Sequence, residues 1–384
     1  MLIYLVIYIP FILCAYFDFV KTPKEQKNNI LWFWVIVFTL FRGLRWEIGT
    51  DWQQFYQVYQ HAEWSNIFSF SRDSGETGRL MDYGYMFINT VFNKAGLPYT
   101  AFLLATNFWI MWCYKDFSER HTKYPILTMI LLLNVGVPFP VRQSIALATS
   151  FWGYRFAVEK KWRTYAIVAI LAALIHKGSL IGLIIIIVPY IVEKWRIKWW
   201  GYAIAYVSTF IISEVFREYI VSTILFVGEV DEQLAIYGQG YIQNNALTVD
   251  YGKYNVSALN GLGYSVFFAL LLWIREKHSL LCNLKIRHFE TFFFMYVMAE
   301  TLNNLVRTGG QNGLVEILGR ITRTIDMFPL IFPLIFTILL LKYVGKRYIC
   351  CIVFCLYMCY KYWQQIPGSF YQALYIPYKS ILGL

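Results

Sequence analysis

Residues 166–192 read AIVAILAALIHKGSLIGLIIIIVPYIV, an apolar stretch broken only at its middle by His176-Lys177-Gly178-Ser179. A helix needs about 20 apolar residues, with ~17 as a floor, to cross a bilayer core of ~30 Å. The stretch therefore reads as two membrane-crossing helices joined by a charged hairpin, and it sets the pattern for the rest of the chain.

That pattern recurs from end to end. Of 384 residues, 58% are hydrophobic and 20% aromatic, and only 15% are charged, against about 45–50% apolar and about 25% charged in soluble domains. The composition predicts an all-α polytopic integral membrane protein forming one embedded domain over 1–384. About twelve runs (range 10–14) pass the length test: near 2–20, 28–43, 97–115, 124–140, 142–158, 162–176, 178–192, 198–213, 256–274, 288–305, 321–341 and 347–363. The first, Met1 to Val20, lacks a basic leader and a small-residue cleavage site, so it reads as a retained helix. Residues 83–94 are short and amphipathic and predict an interfacial or re-entrant helix.

If the runs alternate, one set of short connections collects Lys21, Lys24, Lys27, Lys115, Arg120, Lys123, Lys160, Lys161, Arg163, Lys194, Arg196, Lys198, Arg275, Lys277, Lys285, Arg287, Lys342, Lys346 and Arg347. That is more than half of the 34 basic residues, and the positive-inside rule makes these connections cytoplasmic. The net charge of +11 thus sets topology and does not point to nucleic acid. Seven cysteines, spread through apolar runs and one basic loop, predict neither a disulfide framework nor a zinc site, and no cofactor signature is present. The outer face then receives a first loop over 42–96, a second over 214–255, the hairpins at Arg142 and His176, residues 306–320 and the C-terminal tail.

Every unusual polar motif falls on that face, where ionisable residues at helix mouths imply function by default. Arg42 and Arg45, with Glu47 and Asp51 beyond them, offer two guanidiniums beside two carboxylates. Trp52 and Tyr56, among other aromatics and beside Gln53, Gln54 and Gln57, suit either an interfacial belt or stacking on sugar rings. Arg142-Gln143 opens a helix after Pro140, where a cation opposes the macrodipole unless it and the helix amides hold an anion together. His176 is a side chain able to exchange a proton near neutral pH, and Lys177 stands beside it. Arg307, Arg320, Arg323 and Asp326 bracket a glycine-containing loop, with the last three at helical spacing and Arg323 read as the intrahelical partner of Asp326. Glu229-Val230-Asp231-Glu232 reads as an acidic surface loop.

The succession Gly49-Thr50-Asp51, Asp82-Tyr83-Gly84-Tyr85, Arg142-Gln143-Ser144-Ile145-Ala146, Ala172-Ala173-Leu174-Ile175-His176-Lys177-Gly178-Ser179 and Pro377-Tyr378-Lys379-Ser380 resembles the EpsG family of Wzy-type polysaccharide polymerases. Where that family often has Glu before the Gly-Tyr pair, this chain has Asp82-Tyr83. The resemblance implies a metal-independent glycosyltransferase of the bacterial inner membrane, active on its outer face. It would join oligosaccharide repeat units carried on undecaprenyl pyrophosphate, with lipid pyrophosphate leaving. The lipid-linked oligosaccharide and the bilayer are its implied partners, with a chain-length regulator and a flippase of the same pathway beside it. His176, Asp51 or Glu47 would serve as base. Arg42, Arg45, Arg142, Gln143, Lys177, Arg307, Arg320 and Arg323, with Trp52 and Tyr56, would bind pyrophosphate and sugar. An O-antigen ligase, a membrane O-acyltransferase and a lipid-linked sugar flippase are the rival readings, though no internal repeat of the transporter kind is visible.

Overall fold

Long apolar runs rich in leucine, isoleucine and aromatic residues favour the helix, in which every backbone group is bonded within the segment, and the computed structural model is all-α among its described residues. It describes residues 2–49, 52–69, 81–133, 141–195, 197–228, 258–276, 288–307, 319, 322–332, 345–366 and 372–383. Among the described residues the α-helices include, in chain order, α1 (Leu2–Leu13), α2 (Tyr16–Phe19), α3 (Lys24–Gly43), α4 (Trp52–Gln60), α5 (Tyr83–Lys94), α6 (Tyr99–His121), α7 (Pro125–Leu133) and α8 (Arg142–Val158). There follow α9 (Trp162–Ile175), α10 (Val188–Trp195), α11 (Trp199–Gly228), α12 (Ala258–Glu276), α13 (Phe289–Arg307), α14 (Arg347–Gln365) and α15 (Gln372–Tyr375).

Several boundaries differ from the sequence reading: the first run divides into α1 and α2, and Lys24, Lys27, Arg163, Lys194, Arg275 and Arg347, read as loop residues, lie on helices. Three further differences have a clear local reason. Helix α6 runs on to His121, so Lys115 and Arg120 lie on it and not in a connection. Lys115 pairs with Glu119 at 2.6 Å and Arg120 with Asp116 at 2.7 Å, both at i,i+4, which lets the helix carry its charges. Helix α11 extends to Gly228, into the stretch read as an outer loop from 214, because no glycine or proline interrupts residues 202–227. Residues Lys177–Ile186 form a 3₁₀ segment instead of the first turns of an α-helix. Gly178, Gly182, the β-branched run Ile184–Ile187 and Pro189 all lower α-propensity there, and the Tyr165 hydroxyl donates to the Gly182 carbonyl.

Contacts near the helix ends fall into two groups. At one end Lys27 Nζ donates to the Lys123 carbonyl (3.3 Å), Arg155 approaches Asp116 (3.4 Å), Lys160 meets Glu193 (2.6 Å), and Arg275 donates to the Ile197 carbonyl (2.7 Å). The opposite end gathers the last turn of α3, the starts of α5, α6 and α8, and the end of α9. Gly84 fits directly on the Leu174 backbone, where an added Cβ would come within 2.8 Å of a carbonyl carbon.

The C-terminal tail returns to this second end as a strap. Arg45 and Ser380 form an antiparallel bridge, Trp46 N–H donates to the Lys379 carbonyl (3.0 Å), and Ile381 N–H donates to the Leu44 carbonyl (3.0 Å). Tyr378 stacks on Phe41 and its hydroxyl donates to the Phe41 carbonyl (2.6 Å).

Several helices bury one face and expose an apolar stripe on the other: Leu2, Val6, Ile9 and Leu13 on α1; Phe33, Ile36 and Leu40 on α3; Ile167, Ile170, Leu171 and Leu174 on α9; Ile352, Leu356, Tyr360 and Trp363 on α14. Among the described residues, Leu2–Phe19 and Lys177–Trp195 are long and apolar enough to cross a membrane; Trp162–Ile175 and Trp199–Ile212 are shorter apolar helices.

Candidate active site

Asp82 stands immediately before α5, in the position where a carboxylate ordinarily caps the helix, yet its side chain makes no capping bond. Its Oδ2 instead lies 2.8 Å from Arg142 Nη1 and 3.7 Å from His176 Nδ1. Arg142 is the first residue of α8, and His176 closes α9. Three segments distant in sequence thus bring an acid, a base and a guanidinium together in a half-buried recess at the strap end. The close fit of Gly84 on Leu174 holds the acid against the histidine.

The carboxylate beside Arg142 belongs to Asp82 and meets its guanidinium. One Nη is committed to it, leaving the other guanidinium donors to reach further. Behind the recess Arg42 and Arg45 are both buried. Arg42 Nη2 donates to the Leu133 carbonyl (3.4 Å), while its Nε makes no hydrogen bond. Burial depresses the Arg45 guanidinium, and it pushes the Tyr85 hydroxyl well up against the pull of Arg142 and Arg45. The Tyr99 hydroxyl and the Nδ1 of His176 are buried without a hydrogen-bond partner. Each is a polar atom that a substrate group or a water could satisfy.

The other sequence candidates fall as follows. Gln143 accepts a hydrogen bond from Arg323 Nη1 at 3.4 Å, which brings Arg323 to the mouth of α8. Tyr154, also on α8, hydrogen-bonds the Thr324 carbonyl and fixes that segment. Residues 323–325 form a turn and not the start of a continuous helix, because the Asp326 carboxylate accepts the Phe328 N–H (2.9 Å) and opens a new helical segment there. Lys177 is exposed at the start of the 3₁₀ segment. Glu47 does not join the arginines as expected: it is exposed, its φ of 52° turns the chain outward, and its carboxylate lies 3.6 Å from Lys379 of the strap. Trp52 is buried, stacked on Tyr56 at 5.0 Å and edge-on to Trp46 at 4.8 Å. Asp51, Arg320, the acidic run 229–232 and the side chain of Arg307 lie outside the described residues.

Asp82 is the residue that sequence reasoning left out of its candidate set. Its signal was an acid at a helix start, within Asp82-Tyr83-Gly84-Tyr85, lacking a local partner.

No curated protein and no solved structure matches this chain. One family model does, over residues 28–380, a span that takes in Asp82, Arg142, His176 and the strap. The chain belongs to the EpsG family, a family of Wzy-like polysaccharide polymerases.

Proposed function

We propose that this protein polymerises oligosaccharide repeat units carried on undecaprenyl pyrophosphate, at the outer face of the bacterial inner membrane. The observation that carries the reading is the Asp82 carboxylate, held by Arg142 at 2.8 Å and facing His176 at 3.7 Å. A hydroxyl of one repeat unit attacks the anomeric carbon of the other chain. The bond from that carbon to the pyrophosphate oxygen breaks, and the oxygen leaves with the electron pair. The hydroxyl proton passes to His176. Asp82 sits where proton uptake would put positive charge on the ring, and it orients Arg142. The free donors of Arg142, with Arg42, Arg45 and Arg323 near it, face the charge developing on pyrophosphate.

The two ends of the bundle support a sidedness for this reading. The end rich in Lys and Arg connections faces the cytoplasm, and the recess and strap face out. The exposed apolar stripes on α1, α3, α9 and α14 then meet lipid. In a cysteine-free background, Gln53→Cys is expected to react with an impermeant thiol reagent in intact cells and Lys194→Cys is not; the reverse pattern would put the recess in the cytoplasm.

Ligase chemistry uses the same donor, so the discriminating experiment is the lipid-linked glycan pool of a deletion strain. Single repeat units on lipid are expected, cleared by the wild-type gene and not by Asp82→Asn. Full-length polymer stranded on lipid would replace the polymerase reading with a ligase.

A further inference from the structure

A surface cleft of ≈ 430 Å³ opens at the strap end, between α4, the end of α5, the start of α6 and the strap. It is lined by Trp46, Tyr56, Tyr59 and Tyr99, with Gln60, Asn93 and Thr100 among them and Ile381 of the strap at one side. Its volume lies in the range of about 300–1,000 Å³ used for small-ligand sites. The walls are pre-set. Asn93 Nδ2 donates to the Tyr59 carbonyl (2.9 Å), which leaves its Oδ1 as an acceptor, and the Tyr59 hydroxyl donates to the Leu97 carbonyl. Two buried donors beside the cleft have no hydrogen-bond partner: Trp52 Nε1, whose ring stacks on Tyr56, and the Tyr99 hydroxyl, which lies in the field of Arg45. Tyr99 therefore belongs both to the cleft wall and to the charged cluster behind the recess.

Flat aromatic faces interleaved with side-chain amides and a hydroxyl match the apolar faces and hydroxyl edges of a pyranose; an acyl or isoprenoid chain would leave the amides unused. We propose that this cleft is a saccharide subsite, seating one sugar of the repeat unit while the pyrophosphate end lies toward the arginines. The inference rests on the polymerase reading for the source of the sugar, but the recognition itself requires neither lipid nor phosphate.

The test uses the full-length protein in nanodiscs and the free oligosaccharide released by mild acid from the host's lipid-linked repeat units. Saturation-transfer NMR and a fluorescence titration read binding, with undecaprenyl phosphate as competitor. Wild type is expected to bind the free oligosaccharide without competition from the lipid. Gln60→Ala, at an exposed position, and Tyr56→Ala should each weaken binding roughly tenfold and raise KM for the repeat unit more than they lower kcat. Tyr56→Phe should restore both. Absence of wild-type binding, unchanged affinity in both alanine variants, or displacement by undecaprenyl phosphate would each overturn the subsite. Variant-sensitive binding without any polymer formation would sink the polymerase reading and leave the subsite standing. Normal KM in the variants with full polymerisation would do the opposite.

Discussion

The two ends of the bundle use the same side-chain chemistry to different effect. At the basic end Asp18 is saturated: Lys27 Nζ sits 2.7 Å from Oδ1, and the Leu127 N–H donates to Oδ2 at 2.9 Å. That carboxylate ties α2, α3 and α7 together and has nothing left to offer. At the strap end Asp82 is shared between Arg142 and His176, with the His176 Nδ1 left without a hydrogen bond beside it. A buried charge cluster that completes its own bonding is structural; one that leaves donors and acceptors open has room for substrate.

The largest effect expected from this contrast is on turnover. His176→Gln should lower polymer formation by about 10²-fold to 10⁴-fold, the usual contribution of a general base, with protein level and melting temperature close to wild type. Lys27→Met should do the reverse, destabilising by about 3–5 kcal/mol through the orphaned Asp18, while the protein that remains folded turns over normally. Lost activity per folded molecule in Lys27→Met would erase the distinction between the ends.

A smaller effect separates charge from shape. Arg142→Lys keeps the positive charge near Asp82 but loses the planar fork that can hold a carboxylate and a phosphate at once. Polymer yield is expected to fall between wild type and Arg142→Ala, as read from the ladder on a gel. Equal, full activity of both variants would remove Arg142 from the chemistry.

Two glycines sharpen the contrast further. In Gly84→Ala the new Cβ meets the Leu174 backbone at 2.8 Å, so α5 must shift away from α9 and carry Asp82 with it. A displacement of ~1 Å at a reacting geometry costs up to about 10²-fold in rate, so steady-state turnover should drop while the helix content stays constant. In Gly153→Ala the new Cβ meets a side chain, Val168, also at 2.8 Å. Overpacking of about 1–3 kcal/mol is expected there, visible in thermal unfolding and not in turnover.

The smallest effect belongs to the strap. Lys379→Ala removes an exposed pair with Glu47, in which both side chains are more than half exposed, at 57% and 56%. Such pairs contribute at most about 1 kcal/mol. Unfolding should shift by a few degrees at most, and activity should hold; a dead Lys379→Ala would assign the strap lysine a chemical part.

What was legible in the sequence was local. Helices α5 and α8 begin and end where polar residues break the hydrophobic runs, so residues 83–94 and 142–158 were readable directly. The extension of α6 was not, because Lys115 and Arg120 look like loop residues until their i,i+4 acids are counted. The site was half legible. Arg142 and His176 stand out as charges at helix ends, whereas Asp82 acquires meaning only when α5, α8 and α9 close on one another. The position of Glu47 was not legible for a related reason. Spacing put it near Arg45, but the partner it meets is Lys379, delivered by a tail from the far end of the chain.

The most direct measurement is polymerisation by purified protein in nanodiscs supplied with one defined lipid-linked repeat unit, comparing wild type, Asp82→Asn and Asp18→Asn at equal folded fraction. Asp82→Asn is expected to leave the repeat unit unextended, with a melting temperature near wild type, and Asp18→Asn to melt early but produce the wild-type ladder per folded molecule. A full ladder from Asp82→Asn would contradict the assignment of the reaction to the Asp82, Arg142 and His176 recess.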